Sequence, residues 1–285
     1  MASLLLGKEV VAKMRERTEE RVEALAQTGT TPTLAFVRVG ERGDDLSYQR
    51  TATKRAEARG IATREFALPA EASDKDVARV LAEVNACEGV HGCLMFRPLP
   101  KPLDNEAAAA ALDPRKDVDG ITEGSLAGVF TDSDEGFAPC TAQACIEMLD
   151  GYGIDIAGKS AVVVGRSLVI GKPVAMMLLR RNATVTIAHS RTPDLAEVVR
   201  AADIVVCATG RATAYGAEFF RPGQTVLDVG INFDADGNLC GDVDFDAVEP
   251  VVDAITPVPG GIGSVTTEVL MAHVVDAAER AAQGA

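Results

Sequence analysis

The second half of the chain alternates short apolar runs with helix-length segments, and no other feature constrains the fold as tightly. Runs at 160–165, 183–188, 203–208 and 224–229 read as strands, with helices expected near 171–181, 193–201 and 214–220. Strands separated by a helical connection pair in parallel through right-handed crossovers. The expected result is a doubly wound parallel sheet, whose ligand sits outside the carboxyl ends of the strands.

The chain has 285 residues, long for one domain, so the first half should form a second α/β unit. Residues 7–28 have an amphipathic helical pattern, broken by Gly29 and Pro32. A buried strand over 33–40, a helix over 45–59 ended by Gly60, and a strand over 62–68 follow. Next come a helix at 74–86, a strand at 90–96, an Ala-rich helix at 105–112 and a polar loop at 114–120. The segment 139–149 begins another helix with Thr141 as its N-cap, and a long helix over 266–282 returns to the first domain.

Charge narrows the function classes. The balance of 28 Lys+Arg against 42 Asp+Glu gives a net charge of −14, opposite to the basic surface that general nucleic-acid binding needs. No 18-residue apolar run suits a membrane span, and the N-terminus lacks a signal-peptide layout, so the cytoplasm is the expected location. The six cysteines form no CxxC pair and read as free thiols, and His91, His189 and His273 are too scattered for a metal site. His189 is expected to flank a cofactor, and the other two histidines to be structural.

The segment SAVVVGRSLVIGKP (160–173) reads as strand, glycine turn and helix, with Pro173 in the first helical turn. It departs from GxGxxG, since Ser167 and Ile170 take the second and third glycine places. A turn that feeds a helix N-terminus still offers free N–H groups to a pyrophosphate. An ordinary strand-to-helix turn would read the same way. The next strand ends in HSRT (189–192), without the acidic residue that binds a ribose 2′-hydroxyl. Ser190, Arg191 and Arg166 suit a 2′-phosphate instead, so NADP is favoured over NAD.

Beyond these local patterns, GRSLVIGKP, ATVTIAHSRT (183–192), DVGIN (228–232), GDVDF (241–245) and ITPVPGGIG (255–263) occur in a familiar order and spacing. With RPLP (97–100), PRKDVDG (114–120) and PCT (139–141), they resemble the bifunctional methylenetetrahydrofolate dehydrogenase/methenyltetrahydrofolate cyclohydrolase family over essentially the whole chain. The resemblance implies a folate-binding domain over 1–144, joined by the helix 266–285, and a Rossmann-type NAD(P) domain over 145–265. It also implies tetrahydrofolate derivatives as ligands and a homodimer. Gly165, Arg166, Ser167, Ser190 and Ile231 match its cofactor-contacting positions. Tyr48 matches the tyrosine lying over the folate, and Asp119 the carboxylate that binds the pterin amino and ring N–H groups. These two are the catalytic-site candidates, and Pro259, Gly260 and Gly261 match a loop that closes over the substrate.

The pattern breaks at two positions tied to proton chemistry. Ala52 stands where the family has a lysine four residues after the tyrosine, and Phe96 where it has a glutamine. Lys54 cannot substitute, because it points about 200° away from Ala52 around a helix. Arg55 lies on Tyr48's face, but a guanidinium stays protonated. Arg97 neighbours Phe96 on a strand and should face the other way. Hydride transfer needs alignment and little proton handling, whereas hydrolysis of the methenyl product needs an activated water. The expectation is a dehydrogenase with weak or absent cyclohydrolase activity. Ser264 and Glu268 also depart from the family loop and are expected to alter pterin or cofactor contacts. The rival readings are a Rossmann oxidoreductase with another substrate and a non-catalytic paralogue that binds folate or cofactor.

Overall fold

The computed structural model describes residues 1–284, in two compact units. One comprises Met1–Lys13 and Cys140–Thr266; the other comprises Met14–Pro139 and the chain from Thr267 onward. In chain order the elements begin with β1 (Ser3–Leu4), α1 (Gly7–Gln27), β2 (Thr33–Val39), α2 (Gly43–Glu57), β3 (Ala62–Leu68), α3 (Asp74–Ala86) and β4 (Gly92–Met95). Next are α4 (Asn105–Ala111), α5 (Glu123–Thr131), α6 (Cys140–Gly151), β5 (Ser160–Val164), α7 (Gly171–Arg180), β6 (Thr184–Ala188), α8 (Leu195–Arg200) and β7 (Ile204–Cys207). The remainder are β8 (Thr225–Asp228), β9 (Asn232–Phe233), β10 (Leu239–Cys240), α9 (Phe245–Val248), β11 (Ala254–Ile255) and α10 (Ile262–Ala282).

The unit built on Met14–Pro139 has a parallel sheet in the order β3-β2-β4. Its central strand TLAFVRV is buried along nearly its whole length, as expected for a strand covered on both faces. Val37, Val39, Leu81, Val84, Cys93 and Met95 form part of its core. Helix α3 starts at a capping box in which the Ser73 hydroxyl and the Asp76 carboxylate each accept the other residue's backbone N–H. Helix α5 gave no sequence signal, because EGSLAGVFT carries two glycines; its cap Thr122 accepts the Ser125 N–H at 3.1 Å.

The other unit is a six-stranded parallel sheet in the order β1-β11-β8-β7-β5-β6. The strand order reverses beside β5, with β6 on one side and β7 on the other, so a ligand crevice lies at the carboxyl ends of β5 and β7. The first thirteen residues belong here rather than with the first domain, because Ser3–Leu4 pairs with Ala254–Ile255. The division falls after Pro139 instead of after residue 144, since all of α6 packs in this unit. Two further expectations change. The helix expected at 214–220 is a single turn at Ala217–Phe219, because Tyr215 is held in extended pairing with Val243. Thr141 lies inside α6, which begins at Cys140, and is not its cap.

Candidate functional site

The turn after β5 is built by two glycines. Gly165 adopts φ +138°, and a Cβ there would sit 2.3 Å from the Ala208 carbonyl oxygen at the end of β7. A Cβ on Gly171 would come within 2.4 Å of the Gly165 carbonyl oxygen. Gly171 therefore performs the close packing of a third fingerprint glycine, one position later than the motif places it, which the spacing concealed. The Ser167 hydroxyl accepts the N–H groups of Ile170 at 3.1 Å and Gly171 at 3.3 Å, fixing the entry to α7. Arg166 and Ser167 are exposed on this turn.

The neighbouring strand end is in register with it: Val164 pairs with Ala188, whose carbonyl accepts the Gly165 N–H at 2.9 Å. Beyond Ala188, Ser190 and Arg191 are exposed, and no carboxylate occupies that strand end. The His189 ring accepts the Arg191 N–H at 3.2 Å and so shapes the turn. Gly165, Arg166, Ser167, Ser190 and Arg191 thus come together at the sheet's switch point. Glycines where a Cβ would clash, a helix N-terminus and two exposed arginines fit a dinucleotide carrying a 2′-phosphate.

Ile231 follows β8 and is 69% exposed. It is set by two carboxylates that sequence reasoning did not single out. Asp228 accepts N–H groups from Gly230 at 3.0 Å, Asp242 at 2.9 Å and Val243 at 2.9 Å. Burial pushes its carboxyl up to about 6, against the opposing pull of those donors. Asp242 accepts from Thr209, Gly210 and Arg211 and from the Asn232 amide, tying the loops after β7 and β8. Gly230 and Gly241 make room, since a Cβ on either would strike Asp242 or Asp228. DVGIN and GDVDF are thus one structural knot. In the same unit, the Pro259–Gly260–Gly261 loop is anchored by the Gly7 N–H, which donates to the Gly260 carbonyl at 2.8 Å. The Ser264 hydroxyl is spent on the Gly261 carbonyl at 2.8 Å.

In the other unit, Tyr48 lies on α2, 41% exposed as a residue, with its ring edge-on to Phe96 and centroids 6.2 Å apart. Phe96 packs in turn beside Phe36 at 6.1 Å. Ala52, one turn beyond Tyr48, is completely buried, while Lys54 is exposed. Asp119 is half-buried on the loop between α4 and α5. The two aspartates of KDVDG divide the work. Asp117, fully buried, accepts the N–H groups of Ile121 and Thr122 and the Ser125 hydroxyl, leaving Asp119 as the more accessible carboxylate. His273 contacts the Val118 carbonyl at 2.9 Å, and Lys116 donates to the carbonyls of Val84 and Cys87 at the end of α3. Burial lowers the Lys116 ammonium. Glu268 is buried in a bidentate ion pair with Arg59. Among the described residues, no helix is long and apolar enough to cross a membrane.

The fold and the switch-point turn define a two-unit α/β protein with a Rossmann-type dinucleotide site. Residues 5–119 match the model of the tetrahydrofolate dehydrogenase/cyclohydrolase catalytic domain, and residues 139–282 match that family's NAD(P)-binding domain. The chain is 50% identical to a bifunctional protein FolD of Carboxydothermus hydrogenoformans over 281 residues, covering 98% of each chain. It is 44% identical to that of Clostridium botulinum, covering 98% of this chain and 99% of the relative. Among solved structures, the FolD methylenetetrahydrofolate dehydrogenase/cyclohydrolase of Campylobacter jejuni superposes with a TM-score of 0.95 at 33% identity, covering 98% of this chain and 99% of that one. The Trypanosoma brucei enzyme, complexed with NADP cofactor and inhibitor, gives 0.91 at 34% identity, with 99% of each chain covered. The chain belongs to the tetrahydrofolate dehydrogenase/cyclohydrolase family.

Proposed function

We propose that this chain oxidises 5,10-methylenetetrahydrofolate to 5,10-methenyltetrahydrofolate with NADP, and hydrolyses the methenyl product weakly or not at all. One observation carries the second half of that reading. Beside Tyr48, the helix offers a fully buried alanine at 52, and Phe96 closes the adjacent position with an apolar ring. Neither can take or deliver a proton, and Lys54 projects to solvent elsewhere on the helix. A positioned acid–base group contributes about 10²–10⁴-fold to a hydrolysis, so its absence weakens that step far more than hydride transfer.

When bound, NADP supplies the hydride acceptor. Gly165, Arg166 and Ser167, with the start of α7, hold the pyrophosphate; Ser190 and Arg191 meet the 2′-phosphate, and Ile231 offers an apolar contact. Tyr48 covers the folate and Asp119 fixes the pterin by its amino and ring N–H groups. Pro259, Gly260 and Gly261 close over the substrate, where glycine backbone can approach a flat ring system closely. The enzyme acts in one-carbon transfer as a cytoplasmic homodimer, as the resemblance to its family implies.

Purified protein given methylenetetrahydrofolate and either cofactor tests the reading. NADPH should form at least about tenfold faster than NADH at equal, sub-saturating concentrations, one lost charge-assisted contact being worth about 1.5–3 kcal/mol. Equal use of both cofactors would overturn the assignment of Ser190 and Arg191. Reduction of neither would overturn the dehydrogenase itself.

A further inference from the structure

Gln49 presents a polar atom that the fold leaves unanswered. Its side-chain Oε1 is buried and accepts no hydrogen bond, alone in this respect among the buried side-chain atoms of the described residues. It sits on α2, directly after Tyr48 and one turn before Ala52. Nearby donors on the helix are already committed: the Thr51 hydroxyl donates to the Ser47 carbonyl at 3.1 Å, and Arg50 Nε to the Leu46 carbonyl at 3.2 Å. Ala52 and Ala56, on the buried face, have no side-chain donor to give. A long unbranched side chain at a half-buried position can rotate its amide to water, so one that keeps its oxygen inside without a donor awaits a partner from outside the chain.

We propose that Gln49 is a further specificity-determining residue, whose Oε1 accepts a hydrogen bond from an N–H of the bound reduced pterin. This rests on the folate reading above. A reduced pterin carries several N–H donors, and its site lies at Tyr48, the adjacent residue. The carboxamide suits a site that orients substrate without moving protons: it accepts a hydrogen bond but, unlike an amine, takes no proton at neutral pH. Gln49 then contributes equally to substrate and transition state, an interaction that shows in KM.

The test is Gln49→Met, which keeps length and flexibility and removes the acceptor. The expected loss in kcat/KM for methylenetetrahydrofolate is about 3- to 10-fold, that of one neutral hydrogen bond, carried mainly by KM. KM for NADP should stay within about twofold. Binding of tetrahydrofolate measured by calorimetry should weaken by the same factor, and the ligand-free variant should melt no lower than the wild type, since an unsatisfied acceptor has gone. Unaltered folate KM and binding overturn the proposal, as does a lower melting point with folate binding intact, which marks a structural role. A wild type that binds no folate and forms no NADPH overturns the folate reading and this inference with it. A wild type that turns over beside an indistinguishable variant removes the Gln49 assignment alone.

Discussion

The ion pair between Arg59 and Glu268 joins the segment just beyond α2 to α10 within one unit, and its removal should be felt strongly. The Arg59 side chain is 7% exposed and that of Glu268 is 0% exposed, so neither charge can turn to water. Arg59 Nη2 donates to Glu268 Oε2 at 2.5 Å, Nε donates to Oε1, and Nη1 reaches the Arg55 carbonyl at 3.1 Å. Glu268→Ala leaves a buried guanidinium without its counter-ion, which costs about 3–5 kcal/mol. At about 2–4 °C per kcal/mol for a chain of this size, the melting point should fall by roughly 6–20 °C. Replacing both partners, as Arg59→Met with Glu268→Ala, removes the charge as well as the pair and should cost about 1–2 kcal/mol or less. Urea unfolding of wild type, both single variants and the double variant gives the coupling from the cycle. A coupling of at least about 2 kcal/mol is expected. A double variant as damaged as the sum of the singles would refute the argument that the two charges compensate each other.

Gly171→Ala should raise KM for NADP by at least about tenfold while leaving tetrahydrofolate binding intact, because its Cβ would meet the Gly165 carbonyl oxygen at 2.4 Å; a KM within twofold of wild type would contradict the packing role. Ala52→Lys combined with Phe96→Gln should raise methenyltetrahydrofolate hydrolysis by about 10²-fold if those positions alone limit proton handling; an unchanged hydrolysis rate at normal folate affinity would place the limit elsewhere. Burial raises the Asp228 carboxyl to about 6 from an ordinary 3.8, so the native state holds its proton where the unfolded chain has released it. The stabilising contribution of this group should therefore be full below about pH 4 and decline as the pH rises to about 6. A carbon-13 titration of Asp228 should show that raised midpoint; one below 4 would mean that the three backbone donors outweigh desolvation.

The sheet of the dinucleotide unit was legible because its strands are continuous apolar runs separated by helix-length segments, a pattern that a buried parallel sheet imposes on sequence. Ser3–Leu4 was not, because a two-residue strand has no period and its partner lies at Ala254–Ile255. The single turn at Ala217–Phe219 misled for a related reason: a local pattern cannot report that Tyr215 pairs with Val243. At the site, motifs located the turn at Gly165 and the loop at Asp119. They did not separate a half-buried carboxylate from a buried one that braces the chain. Asp117, Asp228 and Asp242 each accept backbone N–H groups, and only the folded structure shows that Asp117 is fully buried where Asp119 is half-buried. The ion pair of Glu268 is invisible to local pattern, because its partner Arg59 is 209 positions away in sequence.

The partition of product in one reaction tests the central claim most directly. The enzyme is given methylenetetrahydrofolate and NADP, and NADPH, methenyltetrahydrofolate and formyltetrahydrofolate are followed together against an enzyme-free control for spontaneous hydrolysis. With Ala52 and Phe96 beside Tyr48, methenyltetrahydrofolate should accumulate mole for mole with NADPH, and formyltetrahydrofolate should appear only at the control rate. Formyltetrahydrofolate rising in step with NADPH would contradict the account, since it would show that this site moves protons without a side chain at either position to carry them.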